Sequence, residues 1–548
     1  MIETVKKIDL ALKKKIEEAF DSLKVWLDGN KIIAFITCLI TGIITHILMI
    51  TSTIMSQDGL WNSMRYAKPG DWETSLGRWG IALAEKLNFY IAIPSIATVS
   101  CIIVMALVSI FVVDLFDIKK KSHAILISMA IVVSPTFTVT MLYIYTALAY
   151  SVNFLLAVLA VWFLYKFKSK KLGYVFAAIC FVLSLGIYQS YMGVTIGLCI
   201  MLEVLALLKN EKDFKKSFIN LITAAIVVVI AATAYYMFTN FILSLKKLEL
   251  SSYNGANETN VYTMFMGLKN TILMTYRDFI LFFTGNKIVY NKVYDRHVAY
   301  ELFFIITSII GVIKLIKIGR CKEFTVKERV LRIGLIIFLL ICLPIGLNII
   351  DIIVINTEIY ALTAAQLILM IPFSFAVLES EDENEAVVLK ICASLCAVFI
   401  VFTYYISDNV TYTVEKLSYN QAYSTAARIV DRIESLPGYN RDLPVMIAGI
   451  VGNDNYPRTN DLYRYSLGDI PSSTVFHFTY GGMVETWRNF IHIFFGLDIP
   501  MCDDNTYYKI SQSPEFKSMG RFPSPDSVQI IHGIVVVKLH EEPPLPHP

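Results

Sequence analysis

The chain has 548 residues, of which 56% are hydrophobic and only 17% are charged. Soluble globular domains carry about 25% charged residues, so this composition excludes an ordinary soluble protein. The formal net charge of +3, with no basic patch of the kind that binds nucleic acid, argues against a nucleic-acid partner. Most of the nine cysteines fall inside apolar runs, which predicts neither a disulfide framework nor a zinc site.

The first segment, residues 1–30, is rich in lysine and is not expected to be a cleavable signal peptide. Its charged stretch is too long, and no apolar core follows closely. Apolar residues from Ile8 to Trp26 recur with a rough helical period. This pattern predicts an amphipathic helix on the cytoplasmic membrane surface, with a solvated leader helix as the alternative.

Apolar runs then dominate residues 31–406, and each is long enough to cross a bilayer as a helix of about 20 residues. Pro135 is expected to break the third run near its outer end. The eleven predicted spans are 31–54, 91–115, 123–140, 147–165, 172–187, 192–208, 218–245, 301–318, 330–350, 359–378 and 386–406.

The distribution of lysine and arginine predicts the topology. In an eleven-span count, the basic clusters all fall on one side, at 6–31, 119–121, 166–171, 209–216 and 320–332. The positive-inside rule makes that side, and the N-terminus, cytoplasmic. The polar loops at 55–90 and 246–300 and the tail at 407–548 then share the outer face.

The tail at 407–548 is too polar to span and predicts a small extracytoplasmic α+β domain. Its apolar periodicity predicts helices at 421–436 and 483–495 and a strand at 443–451. Two further apolar runs flank His532-Gly533, which is typical of a β-hairpin turn.

The first outer loop reads MSQDGLWNSMRYAKPGDWETSLGRWG at residues 55–80. Arginine can bind a phosphate through two parallel hydrogen bonds, an aromatic ring can stack on a sugar, and a carboxylate can accept a proton from a hydroxyl. This mixture at a membrane surface suits a lipid-linked substrate with a polar head. The alternative is an interfacial anchor, because aromatic and basic residues collect there in many membrane proteins.

Three stretches together resemble a known family. They are SQDGLWNSMRYAKPGDWETSLGRWG at 56–80, SLGIYQSYMG at 184–193 and IIHGIVVVKL at 530–539. The chain resembles, over almost its whole length, the bacterial membrane glucosyltransferases first known from serotype-converting phages, which modify O-antigens and related surface glycans. This family belongs to the GT-C group. The resemblance implies a GT-C-like polytopic fold in the bacterial plasma membrane.

The resemblance also implies a reaction. A hexose, with glucose expected, would pass from a polyprenyl phosphate carrier to a hydroxyl of a cell-surface glycan. GT-C enzymes keep an acidic residue in the first outer loop as the base, and Asp58 matches that position. Asp58 would deprotonate the acceptor hydroxyl while the phosphate leaves from the opposite face, which inverts the anomeric carbon. The alternative for Asp58 is a turn or helix cap before Gly59.

The candidate substrate-binding residues share the outer face. Arg78 is the candidate for the phosphate, with an interfacial anchor as its alternative, and Gln189 could equally cap a helix end. His297 could be a plain surface histidine. The candidates are Trp61, Asp71, Glu73, Arg78, Trp79, Tyr188, Gln189, Arg277, Arg296 and His297.

No obligatory metal or other cofactor is expected. Many GT-C members carry a second acidic residue in the second outer loop, and the loop at 134–146 has none. The carboxylates on the outer face also lack the spacing of metal ligands. The expected partners are the polyprenyl phosphate hexose donor, the glycan acceptor and membrane lipids, together with a donor synthase and a flippase.

Three other readings stay open from the sequence. A transporter or flippase of lipid-linked glycans would also have many spans, although it would place more charges inside them. A transferase for another sugar on the same scaffold differs in substrate alone. A non-enzymatic receptor for a surface polymer is the third.

Overall fold

The structure is a computed structural model. It describes residues 13, 24–27, 29–56, 59–60, 62, 69–211, 213–252, 261–284, 298–354, 361–379, 386–449 and 483–539. Most of the amphipathic segment predicted at 1–30 therefore lies outside the described residues.

In the part of the chain that the structure describes, ten helical stretches are long and apolar enough to cross a membrane. This confirms a polytopic α-helical membrane protein. The first predicted span, 31–54, forms two shorter helices, α1 (Gly29–Thr45) and α2 (Ile47–Thr51). With this pair included, the described helices account for all eleven predicted spans.

The other helices follow in chain order, and 3₁₀ segments lie between some of them. The α-helices are α3 (Asp71–Ser75), α4 (Ile81–Ala84), α5 (Pro94–Leu115), α6 (Lys121–Val132), α7 (Pro135–Leu142), α8 (Ala147–Tyr165), α9 (Lys170–Ile187), α10 (Met192–Leu208), α11 (Phe214–Lys246), α12 (Val261–Phe283), α13 (Val298–Arg320), α14 (Val326–Leu347), α15 (Ile349–Ile353), α16 (Met370–Leu378), α17 (Val387–Glu434), α18 (Met483–Phe495), α19 (Asp504–Ser511) and α20 (Pro514–Ser518). The 3₁₀ turns are Glu85–Asn88, Gln189–Tyr191, Ala361–Leu369 and Pro525–Ser527.

One end of the bundle is held by polar contacts between the basic connections, and we call it the lysine end. The Asn30 amide donates to the Lys119 carbonyl at 2.7 Å, and the Lys119 N–H donates to the Glu379 carboxylate at 2.8 Å. Arg332 donates to the Asn210 side chain at 2.6 Å. Segments far apart in sequence therefore meet here, as the predicted alternation of spans requires.

The opposite end, which we call the loop end, carries residues 69–93 and the other long connections. The Ser56 N–H donates to the Leu142 carbonyl at 2.7 Å, and the Ser251 N–H donates to the Ser75 carbonyl at 3.0 Å. These bonds place the first loop, the turn after α7 and the segment after α11 at one end. That this end faces outward stays a prediction from the lysine distribution.

Pro135 breaks the third span, as predicted. Helix α6 ends at Val132, and α7 begins with Pro135 itself after an extended Ser134. A proline is well tolerated at the first position of a helix because its missing N–H would have no intrahelical partner. The two helices together still form one apolar stretch long enough to cross the membrane.

Helix α17 is the longest element, with 48 residues and a length of about 72 Å. It contains both the eleventh predicted span and the helix predicted at 421–436, so the chain does not break near residue 406. Its far end supports the tail, because Arg432 donates to the carbonyls of Ser524 and Pro523 at 2.7 and 2.8 Å. The domain boundary at 406/407 stays a prediction.

The described tail is a small α+β unit, as expected. Its sheet has the order β1 (Val445–Ala448), β3 (Ile534–Lys538) and β2 (Val528–Ile531), with β1 parallel and β2 antiparallel to β3. His532 and Gly533 form the predicted hairpin turn with φ of 49° and 77°, the left-handed values that such a turn requires.

A close helix contact joins α10 and α14 near the loop end. Gly193 at the start of α10 lies against the Leu347 carbonyl at the end of α14, and an added Cβ would overlap that oxygen. Backbone atoms cannot move aside as a flexible side chain can. This position therefore requires glycine for packing.

Gly193→Ala should lower the melting temperature of the detergent-solubilised protein, because overpacking at a backbone contact costs about 1–3 kcal/mol. Gly311→Ala is the matched control, since α13 leaves open space around that Cβ and alanine favours helix. Thermal unfolding followed by circular dichroism measures both variants. Equal melting temperatures would contradict the close contact.

A buried carboxyl group joins the loop end to α8. Glu85 is 2% exposed, and its side chain accepts a hydrogen bond from the Ala149 N–H at 3.0 Å. Burial raises the pKa of Glu85 from 4.5 to about 8, and the hydrogen bond offsets part of that rise. The folded protein therefore holds this proton at pH values where the unfolded chain has released it.

Because the folded pKa is raised, stability from the protonated Glu85 is present at low pH and is lost as pH rises from about 4.5 through about 8. Glu85→Gln keeps an acceptor for Ala149 and cannot ionise. The wild type should therefore lose about 2–4 °C more than the variant between pH 6 and pH 9. Parallel melting curves of the two proteins would contradict the raised pKa.

Candidate functional site

The second half of the first loop forms a short, capped structure. Helix α3 begins after Gly70, whose N–H donates to the Glu73 carboxylate at 2.7 Å. The Glu73 carbonyl then accepts the Arg78 N–H at 2.8 Å, and Gly77 takes a φ of 74° to make the turn. One carboxylate oxygen of Glu73 thus caps the start of α3. The turn at Gly77 brings the Arg78 backbone back to the carbonyl of Glu73.

Two spans hold this turn in place. The Gln189 amide donates to the Leu76 carbonyl at 3.0 Å and to the Tyr235 hydroxyl at 2.7 Å. The Tyr235 hydroxyl in turn donates to the Gly77 carbonyl at 3.1 Å. The two stretches singled out in the sequence, 56–80 and 184–193, are therefore in direct contact.

Arg78 stacks on a tyrosine that follows α9 at the loop end. Its guanidinium carbon lies 4.7 Å from the centre of the Tyr188 ring. Tyr188 is buried and stacks in turn on Tyr150, with ring centres 4.7 Å apart. The ring supports the flat guanidinium through a cation–π contact and leaves its edge for hydrogen bonds.

The Trp79 side chain packs between the loop and two helices. Its indole N–H donates to the Thr239 hydroxyl at 3.1 Å, and its ring meets Phe238 edge-on at 4.8 Å. The other face of the ring lies against Gly186, where an added Cβ would come within 2.5 Å. Trp79 thus fixes α9 and α11 to the loop, and its predicted contact with substrate stays a prediction.

Lys246 completes the polar cluster from the last turn of α11. Its ammonium lies 2.9 Å from the Asp71 carboxylate and 3.2 Å from the Thr74 hydroxyl. Both members of the ion pair are largely exposed, so the pair is weak and exchangeable. A second cation therefore lies beside Arg78 at the loop end.

A groove of about 940 Å³ runs from this cluster along α9 and α11. Arg78, Lys246 and Glu73 line its polar mouth. The rest of the wall is almost wholly apolar and includes the rings of Trp79 and Phe238. Val175 and Ile230 on its rims are exposed on the membrane-facing surface. We call it the loop-end groove. It joins two positive charges to an apolar channel that opens sideways toward lipid.

Arg277 lies elsewhere. It belongs to α12 and pairs with the neighbouring Asp278 at 2.8 Å, and it does not line the loop-end groove.

Helix α12 packs on α15, where Asp351 is 6% exposed. Burial and the nearby Asp278 raise the pKa of Asp351 from 3.8 to about 7. Asp351 is therefore a buried acidic group held under α12.

Four predicted site residues, Asp58, Trp61, Arg296 and His297, lie outside the described residues. The backbone on either side of Asp58 is nevertheless held. The Tyr419 hydroxyl donates to the Met55 carbonyl at 2.8 Å, and the Asn489 amide donates to the Leu60 carbonyl at 2.7 Å. The described residues on either side of positions 57–58 are therefore anchored to α17 and α18.

Sequence reasoning missed several polar residues that the fold brings to this end. Tyr235 and Lys246 come from α11, and their roles depend on contacts with loop residues 158 and 175 positions earlier. Asp408 and Glu415 are fully buried on α17. Two acidic residues seven positions apart, on one face of a helix continuing past a membrane span, are a signal that could have been noticed.

The described residues contain no group of three or more His, Cys, Asp or Glu side chains placed to hold a metal ion. The chemistry available among the described residues of the polar cluster is charge stabilisation by Arg78 and Lys246 and hydrogen bonding by Thr74 and Glu73.

Comparison with known proteins relates the chain to a family. No curated protein matches the chain, and no solved structure does. A family model described as "Glucosyl transferase GtrII" matches residues 49–371, which is more than half of the 548 residues. The matched range contains the loop-end groove and both stretches that meet there, so this multi-pass membrane protein belongs to the GtrII glucosyl transferase family.

Proposed function

We propose that the chain moves a hexose, glucose in the first instance, from a polyprenyl phosphate carrier to a hydroxyl of a cell-surface glycan. Membership of the GtrII family supports glucosyl transfer. The observation that carries the choice of donor is the loop-end groove, which combines two cations with an apolar channel open to lipid. A sugar nucleotide, which has no apolar chain, would leave that channel unused.

The apolar wall suits a polyprenyl chain. On α11 the lining runs from Ile230 to Lys246, which is about 24 Å along the helix and close to the thickness of the hydrocarbon core. Exposed rims allow a chain to enter from the bilayer without passing through water. Moving a long isoprenoid chain from the bilayer into this channel therefore costs little free energy, because one apolar environment replaces another.

The polar mouth suits the phosphate. Arg78 can make two parallel hydrogen bonds to phosphate oxygens, and Lys246 can add a point charge by exchanging its weak contact with Asp71. The negative charge on the leaving phosphate grows as the bond to the sugar breaks. Cations fixed in advance at this position lower the energy of the transition state.

In the proposed reaction, the acceptor oxygen forms a bond to the anomeric carbon as the bond from that carbon to the phosphate oxygen breaks. The electron pair of the broken bond leaves with the polyprenyl phosphate, and the acceptor proton passes to Asp58. Attack opposite to the leaving group inverts the anomeric carbon. The resemblance of 56–80 to the first outer loop of GT-C enzymes supports this role for Asp58.

The same proposal places the protein in the bacterial plasma membrane with its N-terminus in the cytoplasm. The loop end, the C-terminal domain and the glycan acceptor then share the outer face, supported by the basic clusters at the lysine end. A donor synthase and a flippase would supply the lipid-linked hexose to that face. The main alternatives are a flippase of lipid-linked glycans and a transferase for another sugar.

Arg78→Gln should raise the KM for the polyprenyl phosphate hexose by about 10- to 100-fold, because a hydrogen bond to a charged group contributes about 1.5–3 kcal/mol. Arg78→Lys should recover part of this loss. The matched control is Arg441→Gln, which removes an exposed arginine far along the chain and should leave KM unchanged. Initial rates in detergent at varied donor concentration provide the measurement, and an unchanged KM in Arg78→Gln would refute the phosphate role.

Asp58→Asn should abolish hexose transfer in detergent while leaving the melting temperature and donor binding intact, since the amide cannot accept the proton. Purified protein would be incubated with polyprenyl phosphate hexoses and cell-wall glycans, and products would be identified by mass spectrometry. Transfer that persists in Asp58→Asn would move the base to another residue. Movement of lipid-linked glycan across sealed vesicles, with no transfer in detergent for any donor and acceptor, would instead support a flippase.

A further inference from the structure

A second groove lies at the lysine end, between α6 and α17, with a volume of about 500 Å³. We call it the lysine-end groove. Lys120 and Lys390 line its polar part, and Ile391, Leu395 and Val398 continue its wall along α17. These three aliphatic side chains are about half exposed, so the groove opens onto the membrane-facing surface.

The charge at the polar part is positive. Among the described residues, no ion pair engages the Lys120 ammonium. Lys390 is only 7% exposed, and it lies in the first turn of α17, where the helix dipole adds further positive potential. The nearby Glu379 carboxylate does not line the groove; it accepts hydrogen bonds from the Lys120 backbone N–H and from His123, at 3.1 and 2.8 Å. An anion is therefore attracted by two lysines and a helix end.

The length of the groove matches one leaflet. Its lining on α17 runs from Val387 to Val398, which is about 16 Å along the helix. The hydrocarbon core of a bilayer is about 30 Å thick, so the groove covers about half of it. Its charged part begins where the basic connections of the lysine end begin, at the level expected for headgroups.

We propose that the lysine-end groove binds an anionic phospholipid, with the headgroup phosphate between Lys120 and Lys390 and an acyl chain along Ile391, Leu395 and Val398. A zwitterionic lipid offers the same acyl chains without the net negative charge, so the site should discriminate by headgroup. The inference is independent of the sugar-transfer reaction, because it concerns the opposite end of the bundle.

The chain itself contains one competitor for the two lysines. Residues 380–385 carry four carboxylates in the sequence SEDENE and lie outside the described residues. If these carboxylates formed ion pairs with Lys120 and Lys390, the native protein would not select anionic lipid. Removal of the carboxylates would then create that selectivity. The experiment therefore includes a variant in which Glu381, Asp382, Glu383 and Glu385 are all replaced by their amides.

Purified full-length protein would be titrated with phosphatidylglycerol or phosphatidylcholine in detergent, with bound lipid counted by native mass spectrometry. The wild type should retain phosphatidylglycerol preferentially, and Lys120→Gln/Lys390→Gln should bind it about 25-fold more weakly, at about five-fold per lysine. Lys166→Gln/Lys168→Gln is the matched control, because it removes two exposed lysines of the same end outside the groove. It should bind as the wild type does.

Ile391→Trp tests the acyl part of the groove without changing charge, and keeps the test informative if Lys390→Gln does not fold. It should displace the retained phosphatidylglycerol while leaving the melting temperature in phosphatidylcholine unchanged. Equal retention in all variants would overturn the proposal. So would selectivity that emerges only in the four-amide variant, or displacement of phosphatidylglycerol by an equimolar polyprenyl phosphate.

Discussion

The docking of residues 69–90 onto α9 and α11 is the constraint on which the loop-end groove depends. At the edge of a membrane, a turn that loses water must find protein partners for its backbone groups. Gln189 and Tyr235 supply donors for the Leu76 and Gly77 carbonyls, and the Gly186 carbonyl accepts the Gly80 N–H at 2.6 Å. Arg78 and Trp79 lie between these hydrogen bonds, so the fixed backbone determines where their side chains point. Arg78 stacks on a tyrosine, and Trp79 fills the space between two helices.

Much of this architecture could be predicted from the sequence because the signals are local. Apolar runs of membrane length, Pro135 at the start of α7 and His532-Gly533 in the hairpin each act through their own neighbours, and the structure confirms all three. Arginine and tryptophan in the first loop also marked the right segment. The sequence did not reveal that 56–80 and 184–193 touch, since Gln189 could equally have capped its own helix. It bonds instead to a carbonyl 113 positions earlier.

The parts that could not be predicted depend on contacts between distant elements. Nothing in the sequence around Tyr235 distinguishes it from other tyrosines in membrane spans. Its role depends on its hydrogen bond to the Gly77 carbonyl. Asp351 follows directly after the predicted span 330–350, and only the packing of α12 on α15 buries it. Hydropathy predicts the span at 386–406 and apolar periodicity predicts the helix at 421–436, but neither signal shows that the two form one continuous helix. Side-chain burial and groove shape both arise from helix packing, which no single segment encodes.

The two grooves use the same physical design, a cationic end joined to an apolar channel, and differ in what surrounds the cations. At the loop end, Asp71 competes for Lys246 through an exposed ion pair, and Glu73 lines the same mouth. A phosphate bound there is held by charges that have another partner available, which favours release after each turnover. At the lysine end, the Lys120 ammonium has no such ion-pair partner among the described residues, and Glu379 is already bonded elsewhere. The Lys120 charge, which has no competing ion pair among the described residues, therefore favours a ligand that stays. We therefore expect the first groove to exchange its lipid with every reaction and the second to keep one as part of the fold.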